Sequence, residues 1–116
     1  MNDFDTPIFK KTYDMYKTLY GYRLDVPRLD RYTVWQKSEN LLLDVLEDII
    51  RASQTSKDEK LPILEHASVQ LNLLRVFLRL AQDVSALDMK KYIALETALD
   101  EIGRMLGGWI RSLQGH

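Results

Sequence analysis

The sequence has no cysteine, which removes disulfides, thiol nucleophiles and thiolate metal sites together. Histidine occurs only at His66 and His116, and the 116 residues hold three prolines and five glycines. With 46% hydrophobic and 28% charged residues, this composition excludes a disordered or low-complexity chain and predicts an ordered one. No apolar run approaches the roughly 20 residues that span a bilayer, and MNDFDTPIFKK lacks the basic start and apolar core of a signal peptide. A cytoplasmic protein without membrane contact is therefore expected. The formal net charge is −1, so the surface as a whole is no polyanion trap and the placement of charge matters more than its total. Acid concentrates in residues 38–65, with seven Asp/Glu against three Lys/Arg.

Converging reactive groups are also missing. Glu65 and His66 are neighbours that would point about 100° apart on a helix, so they make no ready ligand pair, and His66 reads as solvated or at the core edge. No Glu-x-x-His motif of a di-iron bundle occurs, and the glycines near the C-terminus sit within a helical pattern instead of a phosphate loop. The expectation is a non-enzyme with no catalytic residues, no metal and no cofactor.

What is present is helical periodicity. The organising stretch is Asp88 to Leu113, where Tyr92, Leu95, Leu99, Ile102, Leu106, Trp109 and Leu113 alternate spacings of three and four and so lie on one seam. Gly103, Gly107 and Gly108 interrupt it at a cost of about 1 kcal/mol each relative to alanine. Gly103 and Gly107, one turn apart, would offset that cost through close approach of another backbone, either inside the bundle or between subunits. Together with Trp109 they are the candidate oligomer contacts.

Upstream, Thr6-Pro7 predicts a helix start, and Phe9, Tyr13, Tyr16, Leu19 and Tyr20 predict a first helix ending near Gly21. Residues 21–31 read as a long connection, with Pro27 holding Val26 out of the α region. Thr33 and Gln36 have the spacing of a capping box, so a second helix is expected from Thr33 to the Ala52–Thr55 region. Its inner face is Trp35, Leu42, Val45, Leu46 and Ile49, and its outer face Glu39, Asp44, Glu47, Asp48 and Arg51. QTSKDEK at 54–60 reads as a turn, and a third helix begins between Asp58 and Pro62. That helix carries two apolar stripes, one through Leu64, Leu71 and Leu78 and a second through Val69, Leu73, Val76 and Leu80. Val84 to Leu87 forms a turn and Asp88 caps the last helix. Nothing alternates with period two. The fold class expected is all-α, an antiparallel up-down-up-down four-helix bundle in a single domain spanning residues 1–116. A second stripe on one helix predicts burial against further copies of the chain.

The polar line left on helix three, Ser68, Asn72, Arg75, Arg79 and Gln82, has two arginines and no acid of its own. Guanidiniums lacking local counter-charge suit phosphate, although a solvated or salt-bridged face is the plain alternative. Arg104 and Arg111 lie two turns apart on the last helix. Lys10, Lys11, Lys17, Arg28 and Arg31 are further candidates from charge alone.

LNLLRVFLRLAQ at 71–82 and LDEIGRMLGGWI at 99–110, with VPRLDRYTVWQK at 26–37 and KLPILEHA at 60–67, resemble the accessory variability determinant (Avd) family of diversity-generating retroelements. The resemblance implies a non-catalytic four-helix protein forming a homopentameric barrel. Its basic surface would bind template RNA or RNA/DNA hybrid and dock the reverse transcriptase during mutagenic copying. Arg75, Arg79 and Arg104 match the family's basic positions. The four-helix proteins encoded in intervening sequences of ribosomal RNA genes are similar in helix order and are the runner-up. A third reading rests on Arg111 and His116, whose spacing resembles the Arg-x4-His signature of HEPN-type helical RNases, with dipole compensation by Arg111 as the plain alternative.

Overall fold

A computed structural model describes residues 6–114. Four long helices carry the fold: α1 (Pro7–Tyr22), α2 (Gln36–Ser53), α3 (Lys57–Asp83) and α4 (Met89–Gln114). No strand occurs among the described residues, as the absence of period-two patterning predicts. Contacts run α1 to α2, α2 to α3, α3 to α4 and α4 back to α1, which closes the four helices around one core. The 27 residues of α3 rise about 40 Å and so run along most of the 46 Å long axis.

The core is filled as the spacing requires. Leu64, Ala67, Leu71, Leu74, Leu78 and Ala81 of α3 are all buried, and so are Leu95, Leu99, Ile102 and Leu106 of α4. Each fully buried leucine contributes on the order of 2 kcal/mol by leaving water. The second stripe of α3 is not buried by this chain: Val69 is 57% exposed and Val76 62%, with Leu73 and Leu80 also exposed.

Start and stop signals held where a single side chain sets the cap. The Thr6 hydroxyl accepts from Phe9 N, with Pro7 in the first turn of α1. Asp88 Oδ1 accepts from Lys91 N at 2.8 Å to start α4. Between them, α3 closes with Ala86 N donating to Ala81 O and Ser85 N to Gln82 O, and Ser85 takes φ 65° to allow it.

Four expectations are corrected. The connection after α1 is mostly helical, passing through a 3-10 turn (Arg23–Asp25), an α turn (Arg28–Asp30) and a wide π turn (Arg31–Trp35) before α2. Thr33 and Gln36 therefore form no capping box: the amides at the start of α2 already face carbonyls of the preceding turns, and the Thr33 hydroxyl donates back to Asp30 O. The turn after α2 is only Gln54 to Ser56, because Asp58 and Glu59 belong to the first turn of α3, where acid complements the helix dipole. Pro62 lies in the second turn, so the carbonyl of Asp58, an exposed residue, receives no amide from it. Finally, Glu39 and Asp48, expected on the outer face of α2, are buried at 3% and 4% exposure, each satisfied by a partner from another helical segment.

Candidate functional site

Along α4, residues 100, 103, 104, 107 and 111 share a face at helical spacing, and along α3 residues 68, 72 and 75 do the same. The packing of α3 on α4 brings the two faces together as the walls of a groove of about 460 Å³. Arg75, Arg104 and Arg111 line it together with Ser68, Asn72 and Asp100, and Gly103 and Gly107 form part of its floor. Arg75 Nη1 donates to Asp100 Oδ1 at 2.5 Å. The counter-charge missing from α3 is thus supplied across the groove by α4, to one arginine of the three. Arg104 and Arg111 are exposed and make no ion pair among the described residues. The groove therefore presents three guanidiniums against a single carboxylate.

The glycines take part in this shape. A Cβ at Gly103 would meet Leu71 Cδ2 at 3.7 Å and Arg75 Nη2 at 3.8 Å, ordinary contacts. At Gly107 it would meet only the Arg111 Nη1 at 3.3 Å, and at Gly108 only Arg111 Nη2 at 3.9 Å. No backbone of this chain approaches any of them closely, so internal packing does not explain the glycines. Trp109 faces elsewhere: with Pro7, Ile8, Ser53 and Met105 it lines a separate, largely apolar pocket of about 490 Å³, where Lys60 Nζ stands 5.7 Å from its ring centroid.

The other sequence-selected cations are dispersed. Arg79 is exposed on α3 outside the groove. On α1, Lys10 and Lys17 are exposed, with Lys17 loosely facing Asp14 at 3.5 Å, while Lys11 pairs with Glu101 of α4 at 2.8 Å. Arg28 is exposed, and Arg31 donates through Nη2 to Val26 O at 3.1 Å, holding the connection between α1 and α2. Of the eight, only Arg75 and Arg104 line the groove. Arg111, weighed in the sequence for other reasons, completes it; its spacing of seven from Arg104, with Gly107 between, was the available signal.

Two buried carboxylates had no sequence signal at all. Glu39 accepts from Arg23 through both oxygens, Nε to Oε2 at 2.9 Å and Nη2 to Oε1. That bond raises the Arg23 pKa above its ordinary value, and Tyr16 beside it is raised by burial and by the Glu39 charge. Asp48 Oδ2 lies 2.6 Å from His66 Nδ1, and His66 Nε2 lies 3.2 Å from Gln70 Nε2. His66 is thus a core-edge residue, more than half exposed, tied to α2. Among the described residues no three His, Asp or Glu side chains gather as metal ligands. His116 lies outside the described residues, and the Arg-x4-His spacing with it. No helix among them is long and apolar enough to cross a membrane.

An all-helical bundle with a cationic groove between its last two helices is the class of protein these observations define. A family model described as bAvd-like matches residues 7–113, and the chain belongs to that family, an accessory and non-catalytic kind of protein. No curated protein and no solved structure matches the chain.

Proposed function

We propose that this chain serves a diversity-generating retroelement as an accessory protein, binding template RNA or RNA/DNA hybrid and the reverse transcriptase through the basic surface of an oligomer. The observation that carries the reading is the α3–α4 groove, where Arg75, Arg104 and Arg111 converge with one opposing carboxylate. Planar guanidiniums suit phosphodiester oxygens, and each contact gains by releasing a condensed counterion. A net charge of −1 is compatible with this because the groove gathers three guanidiniums against one carboxylate whatever the total charge of the chain.

Assembly into a ring of subunits, five by family resemblance, is part of the proposal. The exposed stripe of Val69, Leu73, Val76 and Leu80 offers one apolar face, and α4 offers a second, away from the arginine groove, around Trp109 and its apolar pocket. Two different faces meeting between neighbouring copies make a head-to-tail contact, the kind that closes rings.

The test is titration of structured RNA at several salt concentrations, with subunit mass measured in parallel. Replacing Arg104 or Arg111 by Ala should lower the magnitude of the salt slope by about 1 and leave the mass unchanged. The Arg75→Ala, Arg79→Ala variant should also bind less steeply with salt. Loss of assembly with unaltered RNA affinity would remove the phosphate role from these arginines, and a parent protein without RNA affinity would remove the reading itself.

A further inference from the structure

Helix α1 carries a stripe that the bundle does not use. Its core contributions are Ile8, Phe9, Met15 and Leu19, yet Tyr13 and Tyr20, seven residues and about 10 Å apart on one face, stay 48% and 54% exposed. Lys10 and Lys17 alternate with them at spacings of three and four, so the stripe reads cation, ring, cation, ring. The rings are held in place. Phe9 stacks on Tyr13 with centroids 5.7 Å apart, Lys17 Nζ stands 5.1 Å from the Tyr13 centroid, and the Arg23 guanidinium lies 4.7 Å from that of Tyr20. Arg23 is itself fixed by the buried Glu39, which sets the Tyr20 ring against a guanidinium that does not wander.

We propose that this face of α1 is a stacking rail for an unpaired stretch of RNA or DNA, separate from the arginine groove and resting on the reading that nucleic acid is a ligand. Tyrosine rings take bases regardless of sequence, and ammonium groups at the same spacing take the intervening phosphates. Lys17 has both ends of that exchange available. Its one ion-pair partner among the described residues, Asp14, is 3.5 Å away and both side chains are more than 60% in water, so the pair is weak. A phosphate can draw the ammonium off the Tyr13 face while a base replaces it there. A duplex, whose bases are already stacked and paired, gains nothing from the rings. The occupant is therefore single-stranded, and the charge of the stripe selects a polyanion over an apolar partner.

The experiment uses the full chain with a labelled mixed-sequence strand of about twelve nucleotides, within the usual site sizes, and with its duplex. Tyr13→Leu and Tyr20→Leu should each weaken single-strand binding on the order of tenfold, with duplex affinity and the salt slope unchanged. Tyr13→Phe and Tyr20→Phe should bind as the parent does, since the stacking face is kept. Leucine variants that bind the single strand like the parent would overturn the rail while leaving the arginine groove standing. Leucine variants that change subunit mass and not affinity would overturn it too, assigning the stripe to contacts between copies. A parent that binds neither strand form would overturn the rail together with the nucleic-acid reading on which it rests.

Discussion

Arg23 and Glu39, sixteen residues apart, are joined guanidinium to carboxylate at the point where the chain leaves α1 and enters α2. The glutamate side chain is 4% exposed and the arginine 37%, so one charge is buried and the other half in water. The pair settles where the connection of residues 23–35 sits on the bundle, and it orients Tyr20 from beneath.

Removing only the arginine should be costly. Arg23→Met leaves a buried carboxylate without a partner and should destabilise the fold by about 3 kcal/mol, the low end for such breaks because water reaches Arg23. Arg23→Met with Glu39→Leu should regain most of that loss, since apolar groups fill a buried pair's space well. Chemical denaturation of both variants measures this, and a single variant as stable as the parent would show that Glu39 finds water.

Gly107 sets helix propensity against assembly. In the isolated chain, Gly107→Ala adds a methyl that meets only the mobile end of Arg111, so the subunit should gain up to about 1 kcal/mol. At a contact between copies, Gly107→Leu should instead overpack and cost about 1–3 kcal/mol of assembly. Melting and light scattering of the two variants separate these effects; both variants assembling like the parent would take Gly107 out of any interface.

Alkaline pH should loosen the end of the bundle where α4 begins. Lys91 Nζ bonds Asp25 Oδ2 at 2.8 Å, which raises its pKa, and the Tyr92 hydroxyl is raised by its bond to Glu96 and by burial. Both groups are favoured protonated in the fold. Their contributions are complete below the ordinary values of about 10 and are lost as pH climbs through the raised ones. Melting temperature should therefore fall above about pH 10, and less steeply in Lys91→Met. Identical slopes in parent and variant would show that Lys91 carries none of the effect.

The readable parts of this chain were those decided within one helix. The α4 seam, the Thr6 and Asp88 caps and the inner stripe of α3 depend on neighbours three or four residues away, and spacing exposes such neighbours. Glu39 and Asp48 looked like an outer face because their partners, Arg23 and His66, lie 16 and 18 residues off. Arg75 looked free of acid for the same reason, since Asp100 is 25 residues away. The groove depends on the rotation of α3 relative to α4, which no single-helix pattern contains, and so spacing alone does not place Arg111 in it.

The π turn at Arg31–Trp35 has a consequence for direction. A π turn holds one residue more than the α-helical ladder needs, which puts the segments on either side out of phase by about 100°. Trp35 is thereby seated at 0% exposure as α2 begins, while Leu29 and Tyr32, about two turns and one turn earlier, stand 86% and 67% in solvent. In an uninterrupted α-helix the position three before a buried tryptophan would lie only about 60° from its face, and the wider π turn carries Tyr32 further round toward solvent. The extra residue works as a gear offset: it lets one continuous run of helical turns anchor the core at its far end and present Arg28, Leu29 and Tyr32 outward at its near end.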